Sequence, residues 1–401
     1  MEFTMLRIII SLLFFIVISA CGSESTSNTP KIDETEKVDT ETDVIDDKVN
    51  FKISGSVMGL NGELSINLND QVIIVSNEST FEFLVEDGTD FSLQLSDYPD
   101  NQICKTPKID YIATSDIEGI EIHCVNRVLI DSVLSNVTDE NFLACISQRN
   151  FTYIDQVIRL ICSNMEIESV SGVENFDNLV FLVLSDNNIS EIDVSQNLKL
   201  SYLVLENNNL TSIDVSHNDA LKNLIVSGNK IDNIDVSHNE ALRILLAKGA
   251  NLINLDLINN TELFYLDVAD NKLEAIDLSR NIKLKKAYLS GNSLVNLDTT
   301  NNIDLTFLYA FDNNITAVNL ENNSQLVRLI LNDNQLSTVN LTGNPSLRLI
   351  EIERNQLGDV PVGLSDLTAY DAAISLVGNL FGINANAQLL ELQKTYINLT
   401  H

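Results

Sequence analysis

The chain has 401 residues, 44% of them hydrophobic, which is enough for two or three domains with apolar cores. It carries 24 lysines and arginines against 57 aspartates and glutamates, a formal net charge of -33 at pH 7. This balance argues against binding to the phosphate backbone of nucleic acids, which needs clustered cations. It does not name a partner, because a strongly acidic surface also keeps a protein soluble or reflects a saline habitat.

The N-terminus has the order of residues found in a secretory leader. Arg7 is followed by an apolar run over residues 8–18 and then by two small residues. An apolar run of about eleven residues is too short to cross the ~30 Å of hydrocarbon in a bilayer, so a cleaved leader is favoured over a membrane-spanning anchor. The predicted signal peptide covers residues 1–20.

The segment Ile18-Ser19-Ala20-Cys21 resembles the lipobox of bacterial lipoproteins. The resemblance implies that cleavage leaves Cys21 as the mature N-terminus, with acyl chains such as palmitate on its sulfur and nitrogen, and several chains make anchoring stable. Gly22 stands where a retention signal would place aspartate, so the resemblance implies the outer membrane. Residues 21–49 have almost no large apolar side chains and many acids, which predicts a disordered acidic tether behind the lipid.

Residues 50–126 show the alternation of apolar and polar residues that is typical of β-strands. The alternation is clearest at residues 80–85 and 120–124. Several short strands predict a β-sandwich, and the segment resembles the small sandwich modules of bacterial surface proteins. Cys104 and Cys124 both lie in this module, so we expect a disulfide between them, as an exported protein permits.

Residues 127–178 lead into an array of repeats, whose first apolar edge needs a cover. We expect a short helix here, capped by Thr138 or Asp139, and then a degenerate first repeat. Cys145 on the helix and Cys162 at a core position of the degenerate repeat are placed to form a second disulfide. Together they predict an α-helical N-terminal cap.

Residues 179–362 contain one 21-residue unit written nine times without insertion or deletion. Numbered from Leu179, apolar residues recur at positions 1, 4, 6, 11, 14 and 16 of the unit, with asparagine at positions 9 and 19. The pattern L-x-x-L-x-L-x-x-N-x-L resembles leucine-rich repeat proteins, and the second half, L-D-V-S-x-N, resembles the repeats of bacterial internalins. The N-terminal cap also resembles those of secreted leucine-rich repeat proteins.

A unit of this size cannot enclose a core and buries its apolar face only against copies of itself. Positions 3–7 alternate in and out, which predicts a short strand in every copy that pairs in parallel with the next. The predicted fold is a leucine-rich repeat solenoid with a nine-stranded parallel β-sheet on its concave face. The α-helical cap and the small all-β sandwich domain precede it.

Columns of polar residues run through the repeats. The asparagines at positions 9 and 19 are expected to satisfy buried backbone groups, with one break where Ala250 stands beside Asn251. An aspartate column at position 15, from Asp193 to Asp298, is expected to accept N–H bonds in turns. A calcium site made of these carboxylates is the less favoured alternative.

Beyond position 362 the 21-residue period is lost. Residues 363–401 are expected to form a C-terminal cap in which Leu389, Leu390 and Leu392 lie on a short closing helix. The whole sequence shows no pairing of nucleophile and base, no phosphate loop and no metal-ligand spacing, and its four histidines are scattered. We therefore expect neither an enzyme nor a bound cofactor or metal.

The informative residues are those expected to leave the strands on the concave face, since packing within the repeats does not require them to be apolar. Many are apolar or aromatic, although β-propensity alone also favours such residues. A contiguous exposed track of this kind usually marks a contact surface. The candidate protein-binding residues are Phe181, Tyr202, Val204, Ile225, Ile244, Leu246, Phe264, Tyr265, Tyr288, Phe307, Tyr309, Phe311 and Ile330.

The sequence therefore predicts an outer-membrane or cell-surface lipoprotein that displays a repeat sheet for protein binding or adhesion. Its partner is expected to be a host or envelope protein. Glycan binding is the first alternative, with Tyr265, Tyr288 and Tyr309 stacking on sugar rings. The second alternative is a structural scaffold of the envelope that binds nothing specific.

Overall fold

The computed structural model describes residues 49–107, 110–396 and 398–401. The predicted signal peptide, the lipid site at Cys21 and the tether up to residue 48 lie outside the described residues. From residue 51 to residue 401 the chain forms a single unit. This unit has two apolar cores, one in the N-terminal β-domain and one that runs through the cap and the repeats.

Eight strands form the N-terminal domain that the alternation predicts. They are β1 (Asn50–Met58), β2 (Glu63–Leu68), β3 (Gln71–Ser76), β4 (Ser79–Glu86), β5 (Asp90–Ser96), β6 (Gln102–Lys105), β7 (Asp110–Ile112) and β8 (Ile117–Asn126). They form two four-stranded sheets, in the orders β4-β1-β8-β6 and β3-β2-β5-β7. Alternate residues of β4, namely Phe81, Phe83 and Val85, are buried in the core that the two sheets share. Cys104 and Cys124 face each other across β6 and β8 and form the predicted disulfide.

Arg127 joins the β-domain to the region that follows. Its guanidinium donates to both carboxylate oxygens of Asp155, at 3.0 and 2.9 Å, and to the carbonyl oxygen of Asp100 at 2.9 Å. It also lies 3.9 Å above the ring of Tyr153. A planar guanidinium that binds in this way fixes the orientation of its partners. Arg127 therefore holds the β-domain and the following region together near the predicted boundary.

The cap contains two helices, α1 (Asp131–Leu134) and α2 (Glu140–Ser147). Of the two residues predicted to cap α2, Asp139 is the N-cap: one carboxylate oxygen accepts from the Phe142 N–H, and the other accepts from the N–H groups of Glu168 and Ser169. Asp139 thereby ties the helix to the first coil. The predicted disulfide between Cys145 and Cys162 provides a second, covalent tie.

The repeats form a parallel sheet of twelve strands, three more than the nine predicted. Each of the nine copies contributes three residues, at positions 3–5, so the strands are shorter than the predicted positions 3–7. The strands are β9 (Arg159–Ile161), β10 (Phe181–Val183), β11 (Tyr202–Val204), β12 (Asn223–Ile225), β13 (Ile244–Leu246), β14 (Tyr265–Asp267), β15 (Lys286–Tyr288), β17 (Phe307–Tyr309), β19 (Arg328–Ile330), β20 (Leu349–Glu351), β21 (Ala373–Ser375) and β22 (Leu399–Thr400). On other parts of two coils, β16 (Asn296–Asp298) and β18 (Ala317–Asn319) pair as a small second sheet.

The C-terminal segment corrects the prediction that repetition ends near residue 362. The predicted closing helix is present as α3 (Ile383–Leu392), with Leu389 buried and Leu390 exposed. However, β21 and β22 continue the sheet on either side of it, with Ile374 paired to Ile350 and to Leu399. The last coils are longer than 21 residues, so the fixed period disappears from the sequence although the inward positions remain apolar.

Both asparagine columns do what was predicted. At position 9, the Asn208 amide donates to Leu184 O in the preceding coil and to Leu205 O in its own, and its oxygen accepts from the Ile189 N–H. At position 19, Asn218 donates to Val194 O and Asn197 O. Each asparagine therefore joins two coils by hydrogen bonds to buried backbone groups.

The structure also shows what happens at the break in the position 9 column and what the position 15 aspartates do. At the break, Ala250 is buried and Asn251 turns aside with φ 85°, donating to Asp232 at 2.9 Å. At position 15, Asp214 accepts from the Ser216 N–H at 2.9 Å, and the other copies repeat this contact two residues on. The aspartates are therefore turn residues, as the favoured interpretation predicted.

Candidate protein-binding surface

The candidate surface is the face of the twelve-stranded sheet turned away from the core, here called the concave face. Position 4 of each strand points inward and is buried, as Leu203, Leu224 and Leu245 show. Positions 3 and 5 leave on the concave face because side chains alternate along a strand. Parallel pairing keeps these positions in register, so that Phe181 lies beside Tyr202.

In the first half of the concave face the expectation of exposed side chains is wrong. Adjacent strands lie about 4.8 Å apart, so large side chains stacked in register cover one another. Six of the candidate residues are less than 10% exposed for this reason: Tyr202, Val204, Ile225, Ile244, Leu246 and Tyr265. These six side chains therefore pack mainly against other residues of the same chain.

The second half of the concave face leaves more apolar surface accessible. The candidates Phe264, Tyr288, Phe307, Tyr309 and Ile330 are partly buried there, and Phe311 is 41% exposed. At the other end of the sheet Phe181 is also partly buried. The accessible apolar area of the predicted track is therefore concentrated around β15, β17 and β19.

Three tyrosine rings lie side by side on β14, β15 and β17, the second and third stacked and the first tilted by 46° against the second. The centroids of Tyr265 and Tyr288 are 5.5 Å apart, and those of Tyr288 and Tyr309 are 4.8 Å apart with an angle of 11° between the rings. Burial raises the pKa of the Tyr265 and Tyr288 hydroxyls, so both stay protonated at neutral pH. The stack is a rigid platform whose hydroxyls can donate hydrogen bonds.

Cations alternate with the rings at position 3. The Lys286 ammonium is 5.4 Å from the ring centroids of both Tyr265 and Phe307. The Arg328 guanidinium is 5.3 Å from Phe307 and donates to the Tyr309 hydroxyl at 3.4 Å. Contacts of this kind hold a cation in place without neutralising it.

A further column, at position 8, was missed by the sequence analysis. Non-glycine residues there have φ between 50° and 57°, a conformation that aspartate, asparagine and glycine tolerate best. They are Asp186, Asn207, Asp270, Asp312, Asp333 and Arg354. The signal was the near restriction of position 8 to aspartate, asparagine and glycine, and its consequence is a mainly acidic border where the chain leaves the strands.

The described residues contain no group of three or more histidine, cysteine, aspartate or glutamate side chains placed to hold a metal ion. In the same part of the chain no helix is long and apolar enough to cross a bilayer. The concave face thus offers aromatic, aliphatic and cationic side chains for contact.

Comparison with known proteins supports the fold. No family model matches the sequence, and no curated protein matches it. Among solved structures, the functional domain of InlJ from Listeria monocytogenes is 26% identical with a TM-score of 0.52, and the match covers 60% of each chain. An internalin (InlF) of the same organism is 23% identical with a TM-score of 0.50, covering 68% of this chain and 90% of that one.

A leucine-rich repeat protein of Leptospira interrogans is 19% identical with a TM-score of 0.51, covering 62% of this chain and 73% of that one. Together with the parallel sheet, these similarities define the chain's fold as a leucine-rich repeat solenoid similar to those of internalins. The chain spans 60% of the InlJ domain that it matches.

Proposed function

We propose that this protein binds another protein through the concave face of its solenoid. The observation that carries the proposal is the accessible cluster of aromatic and aliphatic side chains on β15, β17 and β19, around Tyr288, Phe307 and Tyr309. Rigid aromatic residues beside cations are the residue types that dominate protein interfaces. The internalin-like solenoids that the fold resembles favour the same role.

The tyrosine stack argues against the glycan alternative. A sugar ring packs on the open face of an aromatic ring, whereas the Tyr288 ring lies between the stacked ring of Tyr309 and the tilted ring of Tyr265. A purely structural scaffold would not need cations without acidic partners in the described part of the chain, such as Lys286 and Arg328, among partly accessible rings. We therefore favour a protein partner over both alternatives.

We further propose that the chain is exported and displayed at the cell surface or outer membrane. The two disulfides support an oxidising compartment. The lipobox resemblance supports an acylated Cys21, whose label from radioactive palmitate should disappear in a Cys21→Ser variant. A host or envelope protein is then the accessible class of partner.

The test of the binding proposal compares two double variants of the full chain. A partner is first captured from envelope extract or host-cell surface protein and then titrated. Tyr288→Ala with Tyr309→Ala should weaken binding at least about tenfold, because truncated anchor residues each cost upwards of ~1 kcal/mol. Ile282→Ala with Ile303→Ala removes exposed apolar side chains at position 20 of the units that start at residues 263 and 284, and should leave affinity unchanged. Equal binding by the tyrosine variant would refute the proposal.

A further inference from the structure

The cations of the repeats are distributed unevenly across the sheet. Positions 2 and 3, here called the leading edge, carry no aspartate or glutamate in any of the nine copies, although the chain has 57 such residues. The same positions carry six cations: Lys222, Arg243, Lys285, Lys286, Arg328 and Arg348. On a chain with a net charge of -33, this is a cationic strip on an acidic molecule.

These cations are mostly without acidic partners. Among the described residues, only Arg348 of the six has a carboxylate oxygen within 4.0 Å, that of Asp371 at 3.7 Å. Lys286, Arg328 and Arg243 lie instead over aromatic rings. Acids are close by, since Glu262 pairs with Lys283 just before β14 and β15, yet they do not neutralise the strip.

Positions 7 and 8, the trailing edge, have the opposite character. Their acids are Asp186, Glu206, Asp270, Asp312, Asp333 and Glu353. The cations on this edge are paired: Lys248 lies 3.5 Å from Asp270, and Arg354 binds Asp333 and Glu353. The concave face is therefore charged positively along one edge and negatively along the other. The leading edge carries rings such as Phe307 beside its cations, and position 5, between the edges, is mainly apolar but includes Asp267 and Glu351.

We infer that the partner docks an acidic segment of polypeptide on the leading edge, with carboxylates on Lys286 and Arg328 and apolar side chains on the rings between and beside them. The inference rests on the proposed function and specifies the partner's chemistry. Lys286 and Arg328 lie two strands apart, with Phe307 between them. At about 4.8 Å per strand, the two carboxylates are about 10 Å apart, or three residues in an extended segment.

A polypeptide fits this surface better than a polyanion such as a sulfated glycan or nucleic acid. A chain with charge on all sides would meet the acids of the trailing edge and gain nothing from Tyr288, Tyr309 and Ile330. A polypeptide can present acids on one side and apolar or basic side chains on the other. Complementary charge of this kind raises the association rate and fixes the docking register.

The probe is a random twelve-residue peptide library displayed on phage, selected on the full chain. Enriched peptides should combine aspartate or glutamate with apolar residues. A synthesised peptide should bind Lys286→Glu with Arg328→Glu at least about tenfold more weakly than the parent, because each reversal replaces attraction by repulsion. Lys272→Glu with Arg280→Glu makes the same change in net charge at exposed positions outside the leading edge and should bind as the parent does.

The milder pair Lys286→Gln with Arg328→Gln guards against misfolding, and its melting curve should match the parent's while affinity still falls. Enrichment of neutral or basic peptides, or no enrichment of acidic ones, overturns the inference. Equal loss in the Lys272 and Arg280 control also overturns it. A heparin oligosaccharide that binds through Lys286 and Arg328 when no acidic peptide does would indicate a polyanion instead. If peptides bind through Tyr288 and Tyr309 but ignore the charge reversal, the proposed function survives and only the acidic partner fails.

Discussion

The buried asparagines act on two coils at once. The Asn208 side chain bonds backbone groups of its own coil and of the coil before it. Without this side chain the buried Ile189 N–H would have no partner, whereas the two carbonyl oxygens also accept from the amides of Asn187 and Asn229. An asparagine at this position therefore holds neighbouring coils together, as the position 19 asparagines also do.

Replacing Asn208 by alanine should cost roughly 1 to 3 kcal/mol of unfolding free energy, because it leaves the buried Ile189 N–H without a partner. The matched control is Asn209→Ala, one residue on and exposed, which should change stability by less than about 0.5 kcal/mol. Guanidinium unfolding followed by circular dichroism measures both. Equal midpoints for the two variants would mean that the amide is dispensable.

At this scale the sequence predicted bonding better than exposure. The asparagine and aspartate columns were recognisable because a polar residue repeated at one position must serve the coil itself. The burial of Tyr202, Ile225 and Ile244 was not predicted, because it depends on how closely neighbouring strands bring side chains together on the outer face. The alternation of side chains along a strand assigns each one to a face of the sheet, but it does not say how closely the side chains on that face pack.

At the scale of elements, helix α2 closes the open end of the core through Asp139. Burial opposes ionisation of Asp139, but the N–H donors of Phe142, Glu168 and Ser169 outweigh it and lower the pKa of the carboxyl. A carboxylate with a lowered pKa contributes stability that is complete above the usual aspartate pKa of about 3.9. That stability is lost as pH falls through the lowered pKa.

Asp139→Asn should therefore destabilise the protein by about 1 to 2 kcal/mol at pH 7, since one neutral oxygen cannot accept all the bonds of the carboxylate. The difference from the parent should shrink as the pH falls through the lowered pKa of the Asp139 carboxyl. Melting temperatures across pH check this, with Asp131→Asn in α1 as the exposed control. A difference that is independent of pH would contradict the assigned role.

The disulfide between Cys145 and Cys162 closes a loop with a sequence separation of 17. Replacing both cysteines by alanine should lower the unfolding free energy of the repeats by about 3 kcal/mol, chiefly because the unfolded chain gains conformational entropy. Cys104→Ala with Cys124→Ala is the matched control, because that disulfide lies in the separate core of the β-domain. Calorimetry should show the repeat transition moving only in the first variant.

The strands β21 and β22 near the C-terminus could not be predicted from the 21-residue pattern. Asn379 makes the bonds of a position 9 asparagine, donating to Ile352 O and Leu376 O. It lies 24 residues after Asn355, not 21, so a search at fixed period passes over it. Insertions in the loops change the period while leaving the inward residues and the sheet intact.

In the whole molecule, the repeats form one broad parallel sheet. The register of its strands determines where the accessible apolar residues, the cations of the leading edge and the acidic border lie. The sequence located this sheet and the candidate residues, because the 21-residue unit fixes which positions share a face. It did not locate the accessible part around β15, β17 and β19. That depends on which neighbouring side chains are large enough to cover one another.

The central claim is that the partner lies on the concave face, and site-specific photocrosslinking tests it most directly. Benzoylphenylalanine would replace Tyr309 on β17 in one variant and Asn296 of the small second sheet in another, both in the full chain. We predict a crosslink to the captured partner from position 309 and none from position 296. A crosslink from 296 without one from 309 would contradict the account and place the contact elsewhere on the solenoid.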